Sequence, residues 1–173
     1  LKIAVIGRIE FCTKGQDKTI EVAAELVKRN WIPEFTFVGD GPDAAALRNG
    51  FLALGLSNAC RITGWQSKVD DYLQEASVVL LPSRFESFSL VSIEAMQLGK
   101  RIVCSPIPAL REVLPHSCVA EADVPSAYAD SIERILNDSD DEIARAYAPY
   151  LERFSSANFV TQFISVLNMD VHP

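Results

Sequence analysis

Histidine is almost missing from this chain: there are two in 173 residues, His116 and His172, and neither lies near the charged loop motifs described below. The four cysteines, Cys12, Cys60, Cys104 and Cys118, stand far apart with no CxxC among them. The ligand spacing of a zinc site is therefore absent, and the thiols read as reduced cytosolic side chains, mostly core filler. No apolar run approaches the roughly 20 residues that span a bilayer, and the first residues read as a strand rather than a signal sequence. A cytoplasmic protein is expected, any membrane contact belonging to a further domain. Basic residues are the minority, 16 Lys and Arg against 23 Asp and Glu for a formal net charge of -7. That balance argues against a general affinity for nucleic acid and leaves any anionic ligand to a few local cations. There is no GxGxxG, no Walker lysine loop and no GxSxG elbow, so ordinary dinucleotide, P-loop and serine-hydrolase readings lose support. Repeats, low-complexity tracts and interdomain linkers are also absent, and residues 1–173 read as one domain able to bury about 70% of its unfolded surface.

What is present alternates. The short apolar runs Lys2-Ile3-Ala4-Val5-Ile6, Phe35-Thr36-Phe37-Val38 and Cys60-Arg61-Ile62-Thr63 each lead into a longer helical pattern, over 19–29, 44–54 and 69–76. Val78-Val79-Leu80-Leu81 precedes a helix over 89–98, residues 101–104 form another strand, a short helix follows Ala109, and 117–120 reads as an edge strand. This order predicts an α/β fold, a Rossmann-like parallel sheet flanked by helices. From 126 to 167 the pattern is helical only, with Asn137-Asp138-Ser139-Asp140 a cap between two helices and Ser155-Ser156 another. In a doubly wound sheet the first and fourth strands lie side by side and ligands bind where their connections diverge. The loops leaving those strands, 7–15 and 82–89, are thereby expected to bring Arg8 and Lys14 close to Glu86.

The segment from Pro82 to Ala95 carries two carboxylates, Glu86 and Glu94, eight positions apart across a strand-to-helix junction. Glu86 is expected beside a helix amino terminus, whose free N–H groups and partial positive charge favour an anion. Leu90, Glu94 and Leu98 follow at four-residue intervals, which places Glu94 on an inward-facing stripe among core leucines. Cations beside N–H donors suit phosphate oxygens, and carboxylates suit hydroxyls; a nucleoside diphosphate sugar offers both. Gly39-Asp40-Gly41-Pro42 reads as a turn preparing a helix. Trp65, after Gly64, either covers a base or packs against the fold. Without a ligand, the same charges describe a non-catalytic α/β interaction domain in which Arg8, Glu86 and Glu94 form a structural ion cluster.

In this order the motifs resemble the carboxyl-terminal, donor-binding half of a retaining glycosyltransferase of the GT-B fold, in the large family 4 group (glycosyl transferases group 1). Gly7-Arg8 and Lys14-Gly15 are similar to that family's G-R and K-G elements, Gly39-Asp40-Gly41-Pro42 to its G-D-G-P turn, and Gly64 to its third-strand glycine. Pro82-Ser83, the E-x7-E pair of Glu86 and Glu94, then Ala95-Met96 and Gly99 complete the set. The resemblance implies that Arg8 and Lys14 hold the donor diphosphate, that Glu94 accepts the ribose hydroxyls, and that Glu86 lies near the donor sugar. Backbone N–H groups around Ser89 and Leu90 would cradle phosphate, with Gly7, Gly64 and Trp65 also lining the donor site. Arg8, Lys14 and Glu86 are thus the candidate catalytic set. It implies no metal and no cofactor, a UDP- or GDP-sugar as donor, and a glycan or lipid acceptor. It also implies an amino-terminal acceptor domain absent from this chain, toward which the final helices, including residues 159–167, would pack. An epimerase or a phosphorylase of the same fold is the enzymatic alternative, but neither the expected acid/base set nor a pyridoxal lysine is identifiable. The chain departs from the family at Ser89, where Gly is frequent, and at Ser105-Pro106-Ile107-Pro108, where a Gly-Gly turn is frequent.

Overall fold

Five short, largely apolar strands form one parallel sheet in the computed structural model, which describes residues 1–155 and 158. They are β1 (Lys2–Ile6), β2 (Glu34–Val38), β3 (Cys60–Ile62), β4 (Val78–Leu81) and β5 (Ile102–Cys104), in the order β3-β2-β1-β4-β5. Register is set by pairs such as Ile3 with Phe35, Ile3 with Val78, and Val79 with Ile102. All residues of β4 and β5 are buried, as expected of central parallel strands covered above and below. Each large aliphatic side chain so buried contributes about 1.5–3 kcal/mol.

The helices are α1 (Phe11–Lys14), α2 (Lys18–Lys28), α3 (Ala44–Ala53), α4 (Asp70–Glu75), α5 (Leu90–Gln97), α6 (Pro108–Val113), α7 (Pro125–Asn137) and α8 (Asp140–Arg153). Helix α2 packs with α3 and α7, and α5 packs with α8. Because parallel crossovers are right-handed, the helices on either side of the reversal in strand order fall on opposite faces. On β2, Phe35 and Phe37 point to one face and meet Phe51 of α3, with ring centroids 5.5 and 5.8 Å away. Helix α8 opens with a full capping box between Ser139 and Glu142, so the cap expected at 137–140 forms. Ser155 Oγ accepts from the Asn158 amide at 3.3 Å; Ser156 and residues 159–167 lie outside the described residues. Cys104 and Cys118 are core residues, and burial pushes the Cys118 thiol up to about 11, whereas Cys12 is exposed. Among the described residues no helix is long and apolar enough to cross a membrane.

Three expectations are corrected. Residues 117–120 do not form an edge strand: after Pro115 the chain makes a 3-10 turn over His116–Cys118, and only Val119 bridges to Cys104. The 7–15 loop contains α1, a single turn too short to leave a hydrophobic period, closed by Gly15 in the left-handed region (φ 66°). Finally, α5 is rotated from the expected phase. Its buried residues are Ser92, Ala95 and Met96, while Leu90, Glu94 and Leu98 are exposed. The helix is apolar on nearly every side, so spacing alone could not tell which stripe meets the sheet.

That rotation buries Ser92, whose Oγ has no hydrogen-bond partner among the described residues. Two substitutions should therefore move stability in opposite directions. Phe51→Ala, which opens a cavity at the aromatic cluster, should cost about 3–5 kcal/mol. Ser92→Ala, which removes an unpaired buried hydroxyl, should add about 1 kcal/mol. Urea unfolding midpoints measure both; a destabilised Ser92→Ala protein would show that the hydroxyl is satisfied.

Candidate functional site

The pairing of β1 with β4 sets two loops against each other at the carboxyl ends of the strands, where the strand order reverses. They are joined along the backbone. The Arg84 and Phe85 amides both donate to the Thr13 carbonyl, at 2.8 and 3.0 Å. The Arg84 guanidinium donates to the Phe11 carbonyl at 2.6 Å and forms a two-point contact with the Asp17 carboxylate at 2.5 and 2.7 Å. That contact holds the guanidinium pKa above its ordinary value. Gly15 makes the approach possible, because a Cβ there would run into the Pro82 carbonyl. Gln16, 2% exposed, ties down the other side of the 7–15 loop: its Nε2 donates to the Arg8 carbonyl at 2.7 Å and its Oε1 accepts from the Glu10 amide at 3.2 Å.

The joined loops bring Lys14 to Glu86. Lys14 Nζ and Ser83 Oγ each donate to Glu86 Oε1, both at 2.8 Å, and the Glu86 side chain is only 9% exposed. This trio opens into a cavity of about 210 Å³ lined also by Gly7, Ser89 and Leu90, the last two being the N-cap and first residue of α5. On the other side of Gly7 a second cavity of about 400 Å³ is lined by Arg8, Gly39, Asp40, Trp65 and Gln66. Glycine is required at position 39, since a Cβ there would meet the Gly7 carbonyl. Its bridge to Gly64, itself at φ 76°, sets where Trp65 leaves the sheet, 78% exposed. The smaller cavity falls below the roughly 300–1,000 Å³ usual for ligand pockets, and the larger falls within that range.

The expected convergence is thus only partly present. Lys14, Glu86 and the amino end of α5 share one cavity, whereas Arg8 turns away from Glu86, lies 3.5 Å from Glu10 and is 69% exposed on the Trp65 side. Glu94 lines neither cavity and does not face the core; it sits on the exposed stripe of α5 one turn beyond Leu90. The ion cluster of Arg8, Glu86 and Glu94 does not form among the described residues, for Arg8 pairs with Glu10 and Glu86 with Lys14. Sequence reasoning missed Ser83 and Gln16 as lining residues. Ser83 stands three positions before Glu86 and carried a usable signal. Gln16 carried none, because its partners are brought to it only by the unforeseen turn of α1.

A second polar network lines a surface cavity together with Arg84. Lys18 Nζ contacts both oxygens of Asp123 at 2.7 and 2.8 Å, and Tyr128 donates to Asp123 Oδ1 at 2.7 Å while its oxygen lies 2.8 Å from Ser105 Oγ. Burial works to raise the Asp123 pKa, but the bonds from Lys18 and Tyr128 outweigh it and the net shift is downward.

The fold and the site together define a Rossmann-like domain with a charged crevice at its switch point. The family model for glycosyl transferases group 1 matches residues 1–138; the chain belongs to this family, and its fold is that of a GT-B carboxyl-terminal domain. Among curated proteins it is similar to the alpha-D-kanosaminyltransferase of Streptomyces kanamyceticus, 30% identical over 141 residues that cover 79% of this chain and 36% of the relative. Among solved structures, a TarM variant of S. aureus matches with a TM-score of 0.85 and 22% identity over 96% of this chain and 35% of that one. The C-terminal domain of the group 1 glycosyl transferase LpcC from Francisella tularensis matches with a TM-score of 0.73 and 20% identity over 88% of this chain and 85% of that one. The chain spans about two fifths of the length of the curated relatives it matches.

The lowered Asp123 pKa has a pH consequence. A carboxyl whose folded pKa lies below its unfolded value contributes stability that is present above the unfolded pKa and is lost as pH falls through the folded one. The unfolding midpoint should decline on acidification below the ordinary aspartate value of about 3.9, and Asp123→Asn should flatten that decline. Equal slopes in the two proteins would remove Asp123 from the account.

Proposed function

We infer that this domain binds the donor of a retaining glycosyltransferase, a nucleoside diphosphate sugar, and that the full enzyme transfers the sugar to a glycan, lipid or other acceptor held by a second, amino-terminal domain. One observation carries the reading: Lys14, Glu86 and the amino end of α5 share a cavity that shares Ile6 and Gly7 with a second one, lined by the exposed Trp65. The base would lie against Trp65, with Arg8 reaching the diphosphate from that side of Gly7. The Lys14 ammonium and the first-turn N–H groups of α5 would hold the phosphate nearer the sugar. Glu94 is the acceptor for ribose hydroxyls in this reading, reached from its exposed place on α5.

The reaction asks for stabilisation of charge on a leaving diphosphate. As the bond between the anomeric carbon and the phosphate oxygen breaks, negative charge grows on that oxygen, and Lys14 and Arg8 oppose it with donors already in place. The acceptor hydroxyl attacks from the same face and gives its proton to the departing phosphate, so configuration is retained and no protein nucleophile is required. Glu86, with Lys14 and Ser83 both donating to one of its oxygens, is better suited to fixing Lys14 and meeting a sugar hydroxyl than to attacking carbon. Neither a metal nor an organic cofactor is part of the scheme.

Calorimetric titration with UDP, GDP and ADP, in the presence of a chelator, tests the reading. UDP heads the panel because TarM was solved in complex with UDP. One nucleotide should bind selectively, and Arg8→Ala and Glu94→Ala should each weaken it about tenfold, the loss of one charge-assisted hydrogen bond. A folded wild-type chain that binds none of the three at millimolar concentration would defeat the proposal.

A further inference from the structure

The N-cap of α5 is a serine that caps nothing. Ser89 has extended backbone angles (φ -94°, ψ 94°) and is 5% exposed, yet its side chain makes no cap hydrogen bond and has no other partner among the described residues. A serine at this position ordinarily accepts from the second or third amide of its helix. Ser139 does so at the start of α8, where its Oγ accepts from the Glu142 amide at 3.3 Å. At α5 the third amide, that of Ser92, is already donated to the Ser89 carbonyl at 3.1 Å. The hydroxyl instead lines the same cavity as Lys14, Leu90 and Val91.

The donor balance of that cavity is one-sided. It receives the Lys14 ammonium, the orphan amides that open any α-helix, and the uncommitted Ser89 hydroxyl. Among its described lining residues the only carboxylate is Glu86, whose Oε1 already accepts from Lys14 and Ser83. A ligand rich in acceptor oxygens fits such a lining.

We propose that Ser89 is a ligand-contacting residue that sets specificity for a diphosphate: its Oγ–H donates to an oxygen of the terminal phosphate of the bound nucleoside diphosphate. The inference rests on the nucleotide-sugar reading and sharpens it. Trp65 and Ser89 lie in different cavities that meet at Ile6 and Gly7. In this pose a nucleotide whose base lies at Trp65 would present its terminal phosphate to Ser89. The contact is a side-chain donor in addition to the backbone amides, and glycine or alanine at position 89 would not supply it.

The experiment compares wild type, Ser89→Ala and Ser139→Ala by calorimetry and thermal melting, with UDP, GDP, ADP, the matching monophosphates and inorganic pyrophosphate as probes. Ser89→Ala should weaken binding of the preferred diphosphate and of pyrophosphate about tenfold or more while leaving the monophosphate unchanged. Without ligand, Ser89→Ala should melt with the wild type, whereas Ser139→Ala, which loses a real cap, should melt lower. Undiminished diphosphate affinity in Ser89→Ala overturns the proposal, as does a ligand-free loss as large as that of Ser139→Ala, since either makes the hydroxyl structural. If pyrophosphate binds in a Ser89-dependent way and no nucleoside diphosphate binds more tightly than pyrophosphate, the phosphate contact stands and the nucleotide reading falls. A wild type that binds neither pyrophosphate nor a nucleotide overturns both.

Discussion

The parallel pairing of β1 with β4 is the constraint on which the rest of this structure depends. Strands distant in sequence, with Ile3 opposite Val78 and Ala4 opposite Val79, put the loops that follow them side by side, and the contacts of Lys14 with Glu86 and of Thr13 with Arg84 and Phe85 are made across that seam. The pairing is driven by burial rather than by any polar group, since both strands are apolar and β4 is buried along its whole length. Once it forms, the Thr13 carbonyl meets the Arg84 and Phe85 amides, and Gly15 lets the two backbones touch. Lys14 and Glu86 are then neighbours although 72 positions separate them.

A chain of net charge -7 repels anions at long range, and salt screens that repulsion beyond about 10 Å. Attraction at the crevice must therefore be local. The structure supplies it by enclosing an ammonium and a helix amino terminus where water is partly excluded, so that each contact is stronger than on the open surface. Pairing Lys14 with Glu86 keeps the cation fixed and compensated, which avoids leaving an isolated charge in a half-buried place. Arg8 is treated differently, being largely exposed and only 3.5 Å from Glu10, so it is free to reorient at little cost.

Strand and helix identities were legible because the hydrophobic period changes sharply between them, and most boundaries fall within a residue or two of those read from the pattern. The switch point was legible too, since strand order in this topology follows from counting units. Three features were not. Helix α1 is a single turn whose stability comes from the Gly15 turn and the Asp43 contact to the Phe11 amide at 2.7 Å, neither visible as a period. Residues 117–120 have strand composition, but Pro115 and the turn after it leave room for one bridge only. The phase of α5 was misread because leucines on its exposed face look the same in sequence as leucines in a core.

The sequence by itself determined the element order, the parallel sheet and the set of charged residues delivered to its carboxyl edge, because these follow from local periodicity and from the few topologies that short crossovers permit. Only the tertiary structure decided which of those charges meet. Lys14 joins Glu86, Arg8 goes to the far side of Gly7, Glu94 faces outward, and Ser89 is buried with no partner among the described residues, because side-chain direction depends on helix rotation and on loop contacts made between residues far apart in the chain. Spacing along the chain carries no record of that rotation.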